Sequence, residues 1–167
     1  SVLGRGSIFW FALELPEAVG VVKIAGTVKP VIIGYEGARR KILATDDKWE
    51  NRAVLVNLLT PLGFEVIEAE DGEKSIQQAR EYQPDLILTD LVMPIMDGFE
   101  ATRRMRKIPA LKDIPIIAVS ASVFDWHQQG CLDAGCNDFM PKPFHSDTLF
   151  ELLQKCLGLT WTYQGHE

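Results

Sequence analysis

A chain of 167 residues, 47% apolar and 24% charged, has the length of one medium domain plus some extra sequence and the composition of an ordinary globular protein. Its net charge of −6 argues against nucleic acid or anionic lipid as a partner, and even the most basic patch, Arg103-Arg104-Met105-Arg106-Lys107, reads as the solvated face of a helix. Cys131, Cys136 and Cys156 are odd in number, form no CxxC and have no paired histidines at ligand spacing; this argues against a zinc site or disulfide framework and fits a reducing, cytoplasmic setting.

The chain begins with Ser rather than Met, and its first apolar stretch is broken by Glu14, Glu17 and Lys23. It therefore reads as neither a signal peptide nor a membrane span, and as a piece of a larger protein. From Gly4 to Pro16 a Gly/Ser turn leads into a β-prone run, Ile8-Phe9-Trp10-Phe11-Ala12-Leu13, stopped by proline. Residues 18–40, where Gly20, Gly26, Pro30, Gly34 and Gly37 divide short Val/Ile runs, read as a linker with fragmentary strand character.

From Lys41 the rhythm changes. Lys41 to Thr45 is a short apolar run; Leu55, Leu58, Leu59 and Leu62 follow at helical spacing; Phe64 to Ala69 alternates like an edge strand; Gly72 to Gln83 is helical around Ile76 and Ala79. Leu86 to Leu88 predicts a strand buried on both faces, followed by a loop with Pro94 and Asp97-Gly98, where Asp97 is placed to cap a helix carrying Ala101, Met105 and Ile108. A strand at Ile114 to Val119, a helix near Phe124 to Ala134, a short strand at Phe139 to Met140 and a helix with Leu149, Leu152, Leu153 and Cys156 complete the pattern. Five strands alternating with five helices over about 120 residues predict a parallel sheet covered on both faces. The expected architecture is α/β, a flavodoxin-like (βα)5 three-layer sandwich with strand order 2-1-3-4-5, preceded by the β-prone extension.

This topology brings polar residues to one edge of the sheet: Asp46 and Asp47 after the first strand, Asp90 after the third, Ser120 after the fourth, Lys142 after the fifth. Singly each has an ordinary explanation. Asp46 or Asp47 could cap the first helix, Ser120 could satisfy a loop amide, and Lys142 could be surface charge. Together they form a pocket in which each pair of carboxylates would repel by roughly 4 kcal/mol at 4 Å and an effective dielectric near 20. Lys142 offsets part of that charge. A divalent cation with hard oxygen ligands offsets the rest, and one or two carboxylates, a backbone carbonyl and waters suit Mg²⁺: Asp47 and Asp90 directly, Asp46 through water, and the carbonyl of Val92.

The motifs Thr45-Asp46-Asp47, Asp90-Leu-Val-Met-Pro94-Ile-Met-Asp97-Gly98, Ser120-Ala121 and Lys142-Pro143-Phe144 resemble the receiver domain of two-component response regulators, over residues 41–157. The resemblance implies that Asp90 is a phosphoacceptor, with Mg²⁺ at Asp46 and Asp47. It also implies that Ser120 and Phe139 are switch residues, that Lys142 contacts the phosphoryl group and that Lys142-Pro143 is a cis peptide. Residues 1–17 resemble the closing strands of the ATP-binding domain of sensor histidine kinases, with 158–167 left as a C-terminal tail. The two resemblances together imply the C-terminal part of a hybrid histidine kinase, whose parent could be membrane-anchored. The fragment itself would not use ATP. Its expected partners are a phosphohistidine domain, of its own parent chain or of another kinase, or a histidine phosphotransfer protein, with room for a dimer and no membrane contact of its own.

Three rivals remain. A small aspartyl-phosphate phosphohydrolase would carry a second Asp two residues past the nucleophile, where this chain has Val92. A flavin-binding electron carrier would have a Ser/Thr/Gly phosphate loop where Asp46-Asp47 stands. A receiver kept only for protein contact is disfavoured by the intact acidic set. Phe139 lacks a phenol, so any switching there works by packing. His127, His145 and His166 read as ordinary surface or core, Trp49 as either bordering the pocket or packing on the first helix, and Cys131 and Cys136 as packing positions.

Overall fold

The structure, a computed structural model, describes residues 30–121 and 125–165. The β-prone run before Pro16, its proposed kinase origin, most of the expected linker, the side chain of His127 and His166 lie outside the described residues.

The described chain runs β1 (Ile32–Tyr35), β2 (Lys41–Thr45), α1 (Trp49–Leu59), a 3-10 turn at Thr60–Leu62, β3 (Glu65–Ala69), α2 (Gly72–Tyr82), β4 (Leu86–Thr89), α3 (Gly98–Arg106), β5 (Ile116–Ser120), α4 (Asp125–Ala134), β6 (Asp138–Pro141), α5 (Ser146–Leu157) and β7 (Trp161–Tyr163). Five parallel strands form one sheet in the order β3-β2-β4-β5-β6. Counted from β2, this is the expected 2-1-3-4-5 order, with the more polar β3 at one edge.

Strand periodicity sorts the core into two layers. Ile42, Ala44, Leu86, Leu88, Ile117 and Val119 point to one face, where Leu55 and Leu59 of α1 and Leu149 and Leu153 of α5 cover them. Leu43, Ile87, Ile116 and Ala118 point to the other, against Ala79 of α2, Met105 of α3 and Cys131 of α4. Strands apolar at every position are what a sheet covered on both sides requires.

The helix ends follow local chemistry. Asp97 caps α3 by accepting from the Glu100 amide at 2.8 Å, as the sequence predicts, and Asp71 caps α2 in the same way by accepting from the Lys74 amide at 2.8 Å. The 3-10 turn after α1 closes at Gly63, whose φ of +100° is open to glycine without strain.

One expectation changes. Parts of the linker and of the tail are structured together, because β1 pairs antiparallel with β7 in a separate two-stranded sheet, Tyr35 opposite Trp161. The Tyr35 hydroxyl accepts from the Arg40 amide at 2.8 Å and donates to the Gly63 carbonyl at 3.3 Å. Trp161 is buried against Tyr35, Phe64 and Phe150. The ribbon thus closes the α1/α5 layer at the end where β2 and β3 begin. Trp161→Ala should destabilise the fold by about 3–5 kcal/mol, the usual cost of emptying a buried indole site. A urea midpoint within error of wild type would show the ribbon to be an appendage.

Candidate functional site

Backbone ladders carry the loops that bear the charged side chains past the strand ends. The Asp46 amide donates to Ala69 at 3.1 Å, the Asp90 amide to Thr45 at 2.8 Å and the Lys142 amide to Ser120 at 2.9 Å. Each residue therefore makes one more cross-strand bond beyond its own strand or its neighbour's, and the three converge at one edge of the sheet. Ligands of open parallel sheets bind at this edge.

The convergence is close. The Lys142 ammonium donates to Asp46 Oδ2 at 2.6 Å and to Asp90 Oδ2 at 2.9 Å. Carboxylate oxygens of Asp46, Asp47 and Asp90 lie within 4.8 Å of one another. Asp46 is buried, and Asp47 is exposed at the mouth. The side chains of Asp90 and Lys142 are 12% and 19% exposed, so both are shielded yet can be reached from a cleft of about 420 Å³ that they line with Thr45, Asn51 and Phe144.

The two inner acids are held differently. Asp46 also accepts from the Lys48 amide at 2.9 Å and, at both oxygens, from the Asn51 side-chain amide at 3.0 Å. Asp90 Oδ1 accepts from the amides of Leu91 at 2.7 Å and Val92 at 3.2 Å, leaving Oδ2 to Lys142. Burial of Lys142 disfavours its charge, but the hydrogen bonds and Coulomb attraction of Asp46 and Asp90 outweigh this and hold the ammonium above the ordinary lysine value. Three hard carboxylates around one accessible point match the donor chemistry that Mg²⁺ takes.

The loop after Asp90 folds back beneath it. Gly98 donates to Leu91 at 3.1 Å, and the Met96 carbonyl accepts from Gly72 at the start of α2 at 3.0 Å. Met96 also donates to the Pro94 carbonyl at 2.8 Å, closing a tight turn around Ile95, a β-branched residue at φ +68°. That is a strained conformation, with the Ile95 side chain exposed.

The remaining sequence-predicted residues lie on the surrounding elements, some of them away from the cleft. Ser120 is buried at the end of β5, with Ala121 on the cleft wall. Phe139, half-buried on β6, pairs with Ala118 and packs on the α2/α3/α4 layer. Lys142-Pro143 is cis. Val92 is exposed beside Asp90. Trp49 is exposed at the start of α1 and is not among the residues lining the cleft, and His145 precedes α5 without a side-chain cap bond.

Other contacts were not read from the sequence. Asn51 and Arg52, one turn into α1, hold the Asp46 side chain and its carbonyl, the latter through Arg52 Nη1 at 2.7 Å. Their spacing from the acidic pair was the available signal. Arg106 corrects the reading of its basic run. Its half-buried guanidinium donates to the carbonyls of Gly135 and Ile114, each at 2.8 Å, and to Asn137 Oδ1 at 2.9 Å, bracing α3 against the entries to β5 and β6.

Comparison with known proteins agrees with this geometry. Residues 42–154 match the family model described as the response regulator receiver domain. The chemotaxis protein CheY of Bacillus subtilis is 36% identical over 119 residues, covering 71% of this chain and 98% of that protein. Hybrid signal transduction histidine kinase M of Dictyostelium discoideum is 35% identical over 119 residues, covering 68% of this chain; the match spans only 5% of that kinase's length. Among solved structures, the receiver domain of a Pseudomonas aeruginosa sensor histidine kinase, with a magnesium ion coordinated in its active site cleft, superposes with a TM-score of 0.68 at 35% identity, over 72% of this chain and 99% of that one. With a matching family model over most of its length, the predicted five-stranded order and the acid–lysine cluster at the strand ends, the chain belongs to the response regulator receiver domain family.

Proposed function

We propose that Asp90 accepts a phosphoryl group from a phosphohistidine, within a sensor kinase or a histidine phosphotransfer protein, and that the chain is the receiver of a hybrid histidine kinase. The observation that carries this reading is the Lys142 ammonium shared between Asp46 and Asp90 at 2.6 and 2.9 Å in an open cleft. Asp46, Asp47, Asp90 and the carbonyl of Val92 would hold Mg²⁺, which when bound offsets negative charge on the phosphoryl oxygens.

The chain's own residues account for the rest. The Leu91 and Val92 amides and Lys142 orient the Asp90 carboxylate before the donor arrives. A carboxylate oxygen then bonds to phosphorus as the phosphorus–nitrogen bond breaks; the electron pair stays on the imidazole nitrogen, which takes up a proton. Lys142 sits where charge develops on the transferring group. The new acyl phosphate adds charge and acceptors. Ser120 turns to donate to it, and Phe139 repacks into the space released, biasing the β5–α5 side of the domain toward a second arrangement. Residues 1–17 would be the end of the parent's ATP-binding domain, and the setting would be cytoplasmic. Among the described residues no helix is long and apolar enough to cross a membrane.

Incubation with acetyl phosphate, with and without Mg²⁺, tests the reading by intact mass. Wild type should gain one phosphoryl group only with Mg²⁺, and Asp90→Asn should gain none; an equal adduct on the variant refutes it. Val92 has no side-chain group to orient an attacking water, so Val92→Asn should release phosphate faster than wild type. Equal decay of the two would reject this account of the position.

A further inference from the structure

We propose that Cys131 and Cys136 form a dithiol that a peroxide converts to a disulfide, stapling the last turn of α4 to the segment entering β6. All three cysteines are free in the structure, and these two are the ones buried in the core, 0% and 6% exposed.

The end of α4 places the two thiols together. The Cys136 amide donates to the Cys131 carbonyl at 2.9 Å, and the Gly135 amide to the Leu132 carbonyl at 3.0 Å, with Gly135 at φ +106°. This double bond pattern with a left-handed glycine is the Schellman helix ending, which brings together the side chains at these two positions. Both belong to the same core cluster. The 2.9 Å bond between them limits their α-carbon separation to about 7 Å, and the bent path through it brings them closer, into the span a disulfide bridges.

The surroundings make the pair unequal. The Cys136 sulfur beside it pushes the Cys131 thiol up, and burial adds to this. The Cys131 thiol beside it draws the Cys136 thiol below its ordinary value against the opposing effect of burial, with help from the Arg106 guanidinium. That guanidinium is fixed in place by its bonds to Gly135 and Asn137 at 2.8 and 2.9 Å. The Thr102 hydroxyl, 3.8 Å from Cys136 Sγ, already donates to the Gly98 carbonyl at 2.7 Å, so the Cys131 thiol and the Arg106 guanidinium are the neighbours that favour the Cys136 thiolate. Of the two, Cys136, 6% exposed against 0% for Cys131, is the one nearer solvent, and a thiolate there has a second thiol beside it to resolve a sulfenic acid.

The chemistry balances. The Cys136 thiolate attacks one peroxide oxygen; the oxygen–oxygen bond breaks, and the departing hydroxide takes a proton to become water. Cys131 sulfur then attacks the Cys136 sulfenic sulfur, the sulfur–oxygen bond breaks, and a second water leaves carrying the Cys131 proton. Two thiols are oxidised, and one peroxide is reduced to two waters.

The test uses the full reduced chain treated with hydrogen peroxide, a readout independent of phosphoryl transfer. Intact mass should fall by about 2 Da and recover with dithiothreitol. A non-reducing digest should join the peptides bearing Cys131 and Cys136, and one thiol, Cys156, should remain for alkylation in denaturant. Cys131→Ser should instead stop at a sulfenic acid on Cys136, trapped by dimedone. Three alkylatable thiols after treatment, or a cross-link through Cys156, would overturn the proposal from wild type alone, whether or not the variant folds.

Discussion

Lys142→Met should slow phosphoryl uptake by about 100- to 1000-fold, the cost of removing one preorganised group from developing negative charge. The same change leaves Asp46 and Asp90, now without the ammonium they share at 2.6 and 2.9 Å, facing each other across the cleft. Stability at neutral pH should fall by about 2–3 kcal/mol, at or below the low end for a broken buried pair because the cleft is open. The pH dependence has a defined sign. The Lys142 ammonium is held above its ordinary value in the fold, so its contribution is complete at neutral pH and disappears only as the pH rises through the alkaline range. Chemical denaturation of wild type and variant should therefore show a gap at neutral pH that narrows toward high pH, and Mg²⁺ should recover part of it. A constant gap would mean that the lysine acts through packing alone.

Gly98→Ala should be the most damaging small substitution near the site. A β-carbon there would lie 2.2 Å from the Asp90 carbonyl oxygen and 3.0 Å from the Leu91 α-carbon. Both are backbone atoms that no rotamer can move aside, so the loop carrying Asp90 must shift. A cost of about 3 kcal/mol, the upper end for overpacking, corresponds to a melting point lower by about 6–12 °C in a chain of this size. Acetyl phosphate labelling should fall with it even at temperatures where the variant stays folded. A folded variant that labels at the wild-type rate would show that the Asp90 loop has slack.

Most of the domain was legible because its signals are local. Leu86 to Leu88 is apolar at every position, the helices repeat at 3.6, and Asp97 caps the helix it precedes. The meeting of Asp46, Asp90 and Lys142 was also legible, because parallel topology leaves little choice about which strand ends are neighbours. The parts that were not legible depend on distant partners. Ile32–Tyr35 reads as linker with fragmentary strand character, since its strand partner among the described residues lies beyond α5; Ile33, exposed at the irregularity in that pairing, obscures any alternation. Arg106 reads as surface because its acceptors, Ile114, Gly135 and Asn137, are carbonyl oxygens that a sequence does not place in space. The division of labour between Asp46, gripped by Asn51 and Lys142, and Asp47, exposed at the mouth, likewise depends on which way adjacent side chains of a turn face.

An acyl phosphate is reduced by borohydride, which leaves homoserine where the phosphorylated aspartate stood. Peptide mapping after acetyl phosphate, Mg²⁺ and borohydride therefore locates the acceptor directly. The product should appear at position 90 alone; homoserine at position 46 or 47, or at none of the three, would contradict the central role given to Asp90.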